Sequence, residues 1–356
     1  MKIQFSKVCL TVAFALIAKS IVIPYRAPAQ DIPVKWFPGH YVHIRHMGFD
    51  GEGYLKEGLL VNEKAHNLVK DNPYIKGYKM QTVWRELEVS KDQYDFSVIK
   101  SILELAESDG KKLMIHIQDR FVPKAGLPEY MMSAEYEGGY FKSTGEHFTG
   151  VEFGKVWLPQ YQDRWSRLIK AMGEALDDNP TLAGVMVSES AFARDYPDYD
   201  NEGHLNWLIS MHTTAAEYFP KTPFFQYVNW GFSDEDRDYL MRHIVEVSRN
   251  GFGGPDLHDR KPQSCLTMRF GSYYDKYRGV APICVENQPS GYRHYDARYK
   301  FDFAVDTVGV HFLPWTPVLE TSEIVKWTFY DALEVINKEK GRINTAPPSN
   351  IIGRRE

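Results

Sequence analysis

Residues 182–189 read Leu-Ala-Gly-Val-Met-Val-Ser-Glu, an apolar run that ends in a carboxylic acid. Residues 281–286 repeat the arrangement as Ala-Pro-Ile-Cys-Val-Glu. Because side chains alternate between the two faces of a strand, we expect Glu189 to share a face with Val185 and Val187, and Glu286 with Cys284. Each run therefore predicts a buried strand that carries an acid to the start of the following loop.

Similar short runs, rich in β-branched and aromatic residues, recur from Trp36 onward and alternate with segments of helical periodicity. This alternation is typical of repeated β-α units. We predict eight strands, at 37–44, 78–84, 112–118, 183–189, 224–230, 251–254, 282–286 and 308–313. Eight units of this kind predict an α/β fold, namely a (β/α)8 TIM barrel.

The clearer connecting segments have helix signals. One helix is expected after an N-cap at Asp95 or Ser97 and is closed by Gly110, and another begins after Ser233, which caps it with Asp236 at the third helical position. Residues 121–158 have little periodicity and predict an elaborated loop after strand 3, and loops of that length are usually functional. Further helices are predicted at 159–177, 203–219 and 322–338.

The amino terminus has the pattern of an export signal. Lys2 and Lys7 precede an apolar run at 8–18, and Ala27-Pro28-Ala29 resembles a cleavage site. Because a membrane span needs about 20 apolar residues, we expect no stable membrane insertion after cleavage. The sequence thus predicts a signal peptide at 1–29, a single catalytic barrel at 30–356, and a secreted or periplasmic location.

Composition restricts the partner. The formal net charge is only -5, so there is no electrostatic footprint for nucleic acid. The 22 Tyr, 20 Phe and 8 Trp supply rings on which the apolar face of a sugar can stack, although most must serve the core. Three cysteines are too few for a disulfide scaffold. Cys265 and Cys284 could pair in an oxidising compartment, but we expect Cys284 to be a buried free thiol.

The two strand-end acids point to glycosidic bond cleavage. Active sites of these barrels lie where strands run into the following loops. Cleavage needs one carboxyl to protonate the leaving oxygen and a second to attack the anomeric carbon or activate water, so neither a metal nor a cofactor is required. A single strand-end Glu could equally be a structural ion-pair partner, but the joint placement of Glu189 and Glu286 favours catalysis.

Three stretches carry a family resemblance: 82–88 (TVWRELE) with 92–97 (DQYDFS), the two strand-end glutamates, and 310–315 (VHFLPW). Together they resemble the clan A glycoside hydrolases, including cellulase-like and β-galactosidase-like families. These are retaining barrel enzymes with an acid/base after strand 4 and a nucleophile after strand 7. The resemblance implies that Glu189 is the acid/base, that Glu286 is the nucleophile, and that Trp315 forms an aromatic floor under the sugar. The implied partner is a polysaccharide or oligosaccharide.

Other strand-end residues are candidate sugar ligands. The clan has Asn immediately before the acid/base, where this chain has Ser188. Rings at strand ends can stack on sugars or pack in the core, and amides can bind hydroxyls or satisfy loop backbone. The remaining candidates are Trp84, Gln118, Asn229, Trp230 and Asp256.

Two alternatives stay open at this point. A non-catalytic carbohydrate-binding barrel would explain Ser188 and the unusual Gly253-Gly-Pro-Asp256 segment, and it would lack two carboxyls facing each other at about 5 Å. A metal-dependent barrel hydrolase could use His40, His43 and His46, but their spacing is not His-X-His. Loss of activity in a chelator would support that second alternative.

Overall fold

The computed structural model describes residues 34–45, 62–121, 124–146, 148–229, 231–257 and 271–352. The predicted signal peptide at 1–29, His46, Trp230 and Cys265 lie outside these residues. Eight parallel strands close into a barrel, which confirms the predicted (β/α)8 fold. The strands are β1 (Gly39–Arg45), β2 (Ile75–Val83), β3 (Lys112–Gln118), β4 (Leu182–Glu189), β5 (Phe224–Tyr227), β6 (Gly251–Gly254), β7 (Ile283–Val285) and β8 (Phe312–Trp315).

Helices cover the outside of the barrel. The principal α-helices are α1 (Glu63–Val69), α2 (Ser97–Ser108), α3 (Pro159–Leu176), α4 (Asn201–Tyr218), α5 (Asp234–Arg242), α6 (Gly271–Tyr277), α7 (Ala297–Asp302) and α8 (Phe329–Lys338). Single-turn α-helices lie at Trp84–Leu87 and Ser349–Ile352, and π-helical turns at His243–Val247 and Phe303–Val308 extend α5 and α7. The Ser233 hydroxyl accepts from the Asp236 N–H at 3.1 Å and caps α5, as predicted.

Several predicted boundaries were wrong. The eighth strand was placed at 308–313, but Val308 ends a π-helical turn and Gly309 has a φ of 78°. The apolar residues there are buried by packing outside a strand. The helix predicted at 322–338 begins at Phe329, because Thr328 and Asp331 form a capping box there. The fifth strand ends at Tyr227, after which Asn229 turns toward the loop that follows β4.

The loop after β3 is elaborated, as predicted. It forms two small antiparallel hairpins, which pair Arg120–Phe121 with Lys124–Ala125 and Tyr140–Lys142 with Glu152–Gly154. Two 3-10 turns, Glu129–Met132 and Ala134–Tyr136, lie between these hairpins. The loop therefore builds a separate wall at the end of the barrel where β3 and β4 terminate.

The barrel interior contains a small apolar layer, distinct from the larger core between strands and helices. Tyr227 and Cys284 belong to this inner layer and are fully buried. Cys284 is a free thiol, as predicted. Because Glu286 follows Cys284 by two positions, the same alternation directs its carboxylate into the barrel.

Glycine lets β6 approach β7. A Cβ atom on Gly253 would lie 1.5 Å from the carbonyl oxygen of Cys284, whereas one on Gly254 would meet nothing nearer than the Tyr274 hydroxyl at 3.5 Å. Gly253→Ala should therefore lower the free energy of unfolding by about 3 kcal/mol or more, because the strands must move apart. Gly254→Ala, the matched control, should cost less than about 1 kcal/mol. Urea denaturation of both variants measures the difference, and equal stabilities would contradict it.

Candidate active site

Glu286 follows β7 and is enclosed by donors. Its Oε2 accepts from Lys79 Nζ at 2.5 Å and from the Tyr227 hydroxyl at 3.1 Å. Its Oε1 accepts from the Thr316 hydroxyl at 3.0 Å and lies 3.3 Å from His43 Nδ1. Lys79 is fully buried and Glu286 is 1% exposed. Donors from β1, β2, β5 and the end of β8 thus fix both oxygens of one carboxylate.

These contacts decide the ionisation of Glu286. Burial alone would raise the pKa of the Glu286 carboxyl, because an apolar surrounding disfavours its charged form. The Lys79 ammonium and the hydrogen bond from His43 outweigh burial and hold that pKa well below its usual range. Glu286 is therefore an anion at neutral pH, held in one orientation.

Glu189 ends β4 in a less enclosed environment. It is half-buried, and its Oε2 accepts from Asn229 Nδ2 at 2.6 Å. Burial raises the pKa of Glu189. The positive charge of Arg120 and the Asn229 hydrogen bond oppose this rise, whereas the negative charges of Asp256 and Glu286 add to it. The two acids therefore have pKa values displaced in opposite directions.

Glu189 enters the barrel for a reason that the sequence conceals. Val185 and Val187 belong to the outer core, whereas Met186 belongs to the inner layer. Strict alternation would therefore turn Glu189 outward, and the predicted shared face was wrong. The register between β4 and β5 shifts between Val187 and Glu189, which reverses the alternation. This irregularity brings Glu189 level with Tyr227, whose phenol bonds Glu286.

Tyr227 lies within electrostatic range of both acids. Burial is the main cause that raises the pKa of the Tyr227 phenol, and the charges of Glu286 and Glu189 both add to it. The phenol is therefore protonated at neutral pH and donates its hydrogen to Glu286.

Arg120 supports the β4 end from the neighbouring loop. Its Nη2 donates to the carbonyl oxygens of Glu189 at 3.3 Å and Ala191 at 3.0 Å. Its Nη1 pairs with Asp119 at 3.2 Å. Because Arg120 holds the backbone on either side of Ser190, it fixes the chain that carries Glu189.

The other predicted sugar ligands divide into those near the acids and those in the core. Asn229 bonds Glu189 directly. The Asp256 Oδ1 accepts from the Ser290 hydroxyl at 2.9 Å, and the negative charge of Asp256 raises the pKa of Glu189. Gln118 is half-buried and accepts from Gln81. Ser188 is buried, and its hydroxyl accepts from the Asp119 N–H at 3.2 Å.

Trp84 and Trp315, the two candidate tryptophans within the described residues, are fully buried. Trp84 donates to Glu88 and packs against Trp165 of α3, with ring centroids 4.9 Å apart. Trp315 shares the outer face of β8 with Leu313 and donates to His40 Nδ1 at 3.2 Å. Thr316 takes the inward position after β8, where its hydroxyl donates to Glu286.

Lys79, Tyr227 and Thr316 were not among the predicted site residues, and His43 was considered only as a metal ligand. One signal was present, because Lys79 stands between the apolar residues Tyr78 and Met80 within a predicted strand, and a buried lysine requires a partner. Lys79 and His43 occupy inward positions on their strands, as Tyr227 does on β5. Counting inward positions on every strand would have gathered these three residues around Glu286.

His40 and His43, the two β1 histidines within the described residues, do not come together as metal ligands. His40 lies beside Trp315 and the Arg342 carbonyl, whereas His43 lies beside Glu286. Among the described residues no group of three or more His, Cys, Asp or Glu side chains could hold a metal ion. In the same part of the chain, no helix has the length and apolar character to cross a membrane.

The sequence matches no known family profile, and no curated protein is detectably similar to it in sequence. Its structure resembles solved glycosidase structures. A GH5_18 protein from Bifidobacterium longum in complex with Manβ1-4GlcNAc superposes with a TM-score of 0.54 at 12% identity, over 86% of this chain and 80% of that one. Endo-glycoceramidase II from Rhodococcus sp. gives 0.53 at 10% identity, over 86% and 81%.

A β-galactosidase from Bacillus circulans sp. alkalophilus gives a TM-score of 0.54 at 12% identity, over 86% of this chain and 56% of that one. Identities this low carry information about architecture alone. The chain therefore has the (β/α)8 barrel fold found in clan A glycoside hydrolases.

Proposed function

We propose that this protein is a retaining glycoside hydrolase that cleaves β-glycosidic bonds in a polysaccharide or oligosaccharide. The observation that carries the proposal is the pair of strand-end glutamates whose pKa values are displaced apart, that of Glu189 upward and that of Glu286 downward. Environments that separate two carboxyls in this way assign one as acid and the other as nucleophile. The glycosidase architecture of the structural neighbours supports the same assignment.

The proposed reaction has two displacements. In the first, Glu286 attacks the anomeric carbon while Glu189 gives its proton to the departing oxygen, so that a glycosyl ester forms on Glu286. In the second, Glu189 takes a proton from water, which attacks the same carbon and releases Glu286 as a carboxylate. No step needs a metal or a cofactor. Lys79, Tyr227 and Thr316 serve as positioning residues for the nucleophile.

One observation favours a second candidate function, a barrel that binds carbohydrate without cleaving it. Glu286 is 1% exposed, and both of its oxygens already have partners. A carboxylate that serves only in a structural ion pair would have the same burial and the same partners. Covalent trapping separates the two functions, because 2-deoxy-2-fluoro glycosides accumulate as an ester on a nucleophilic carboxylate. Mass spectrometry would locate a trapped sugar on the Glu286 peptide of a retaining enzyme and would find none in a binding protein.

A substrate screen tests the proposed function. We would incubate the protein with plant, algal and microbial polysaccharides beside Glu189→Gln and Glu286→Gln. Glu235→Gln, at an exposed position of α5, is the control. Loss of hydrolysis in both site variants, with Glu235→Gln fully active, would support the pair. Full activity of either site variant would mean that other carboxyls perform the reaction.

The pH dependence of kcat/KM should be bell-shaped. Activity rises as pH increases through the lowered pKa of Glu286, which must be ionised, and falls as pH increases through the raised pKa of Glu189, which must be protonated. Glu189→Gln should remove the alkaline limb on a substrate whose acidic phenol leaves without protonation. Initial rates on a dinitrophenyl glycoside measure this. An alkaline limb that persists in Glu189→Gln would assign the acid elsewhere.

We also propose that residues 1–29 direct export, so that the mature protein acts outside the cell or in the periplasm. The sequence features at Lys2, Lys7 and Ala27-Pro28-Ala29 support this proposal. The mass of the protein recovered from periplasm and medium would test it, since cleavage after Ala29 defines one expected value.

A further inference from the structure

A pocket of about 280 Å³ lies between the loop after β3 and the segment after β4. Phe148 and Phe192 line it with their rings, and Ala193 adds an aliphatic surface. The exposed side chains of Arg194 and Glu146 also line it. The proposed reaction uses none of these residues.

The first pocket residue on the segment after β4, Phe192, follows the proposed acid by three positions. Asn229 ties Glu189 to the residue before the pocket, because its Nδ2 donates to Glu189 Oε2 at 2.6 Å and its Oδ1 accepts from the Ala191 N–H at 2.6 Å. Arg120 repeats the connection, since it bonds the Glu189 carbonyl and lies 5.9 Å from the Phe192 ring. The pocket therefore begins at Phe192, the residue after Ala191, and Ala191 is held together with Glu189. The general acid is the carboxyl nearest the leaving group, so this is the leaving-group side of the site.

Ser143, Asp195 and the backbone N–H groups of Thr144 and Gly145 already satisfy one another on the pocket wall. The Asp195 Oδ1 accepts from the Ser143 hydroxyl at 2.9 Å, and its Oδ2 accepts from the N–H groups of Thr144 and Gly145 at 2.5 and 2.9 Å. Although its partial burial acts in the opposite direction, these donors lower the pKa of Asp195 to about 2. A sugar ring that carries hydroxyls on every side would find few free partners on this wall, and unpaired polar groups cost binding energy.

Resting on the proposed function, we infer that the pocket receives the leaving group of the substrate and that this group is apolar and planar, as in an aryl glycoside. Flat apolar groups bind well against phenylalanine rings. Arg194 stacks over Phe232 at 5.1 Å and makes no hydrogen bond to any described residue. Its donor edge is thus available for a polar substituent on the leaving group.

The test uses two aryl glycosides of one sugar, with phenol and 2-naphthol as leaving groups of similar acidity, and free 2-naphthol as a binding probe. The variants are Phe148→Ala, which removes a wall, and Ala193→Leu, which fills the space. Tyr140→Ala, an exposed ring on the same loop but outside the pocket, is the matched control.

The wild type should prefer the naphthyl glycoside, and both pocket variants should lose about tenfold in its kcat/KM with little change for the phenyl glycoside. Calorimetry should show 2-naphthol binding weakened to a similar extent in both variants and unchanged in Tyr140→Ala. Absence of 2-naphthol binding, or equal binding by the wild type and both pocket variants, would overturn the inference even if the protein hydrolyses glycosides. Binding as expected without hydrolysis of any glycoside would overturn the proposed function and the leaving-group role, while the pocket would remain an apolar site.

Discussion

Replacing Glu286 with Gln should lower kcat by at least about 10⁴-fold on any glycoside that the wild type hydrolyses, because the amide cannot form the glycosyl ester. The amide keeps the size of the carboxyl, and its oxygen can still accept from Tyr227 or Thr316. Stopped and steady-state assays with an activated aryl glycoside measure the loss, because such a substrate reduces dependence on the acid.

Two controls make this result specific to the nucleophile. Circular dichroism must show an intact barrel, since the buried Lys79 loses its counter-charge in the variant. Glu286→Gly assayed with azide provides the second control, because a small anion can enter the vacated space and attack the anomeric carbon from the same side. Restored turnover with formation of the inverted glycosyl azide would identify the nucleophile. Glu286→Gln with more than one-tenth of wild-type activity would refute the assignment.

Lys79→Met should lower the free energy of unfolding by about 3–5 kcal/mol at pH 7, because it leaves the buried Glu286 carboxylate without its cation. The folded-state pKa of Glu286 lies below its unfolded value, so the stabilisation is present above the unfolded pKa and disappears as pH falls through the folded one. In the variant that pKa rises, and the acid limb of kcat/KM should move to higher pH. Urea denaturation and a pH-rate profile measure the two effects.

The double variant Lys79→Met with Glu286→Gln is the matched control. It removes both charges, so it should be more stable than Lys79→Met alone, and the difference gives the coupling between the two residues. Lys91→Met, which removes an exposed lysine paired with Glu135, should lower the free energy of unfolding far less than Lys79→Met does. A Lys79→Met protein as stable as Lys91→Met would show that the buried pair contributes nothing to the barrel.

The fold could be predicted largely because strand and helix periodicities differ. β3 and β6 begin and end where the apolar pattern placed them. The start of β8 was misplaced, because residues 308–311, which end a π-helical turn and follow it, are buried by packing and look the same in sequence as a strand. Burial alone does not distinguish these two causes.

The candidate site was only partly predictable. Strand-end position identified Glu189 and Glu286, but the register shift that turns Glu189 inward depends on pairing with β5, which one sequence does not reveal. Trp315 was assigned to the site because the family resemblance implies an aromatic floor after the eighth strand, although its parity with Leu313 directs it outward. Residue type suggested the chemistry, whereas parity along each strand decided which side chains share the interior.

The rate at which Cys284 is modified should report how often the barrel opens. The thiol is fully buried in the inner layer, and burial raises its pKa, so an alkylating reagent meets neither an accessible sulfur nor a thiolate in the closed molecule. Modification of Cys284 must wait until β6, β7 and β8 separate. In a protein whose Cys9 and Cys265 are replaced by Ser, the labelling rate would measure the frequency of this strand separation. Substrate or an inhibitor that stabilises the Glu286 end of β7 would lower the rate of Cys284 modification without contacting the sulfur.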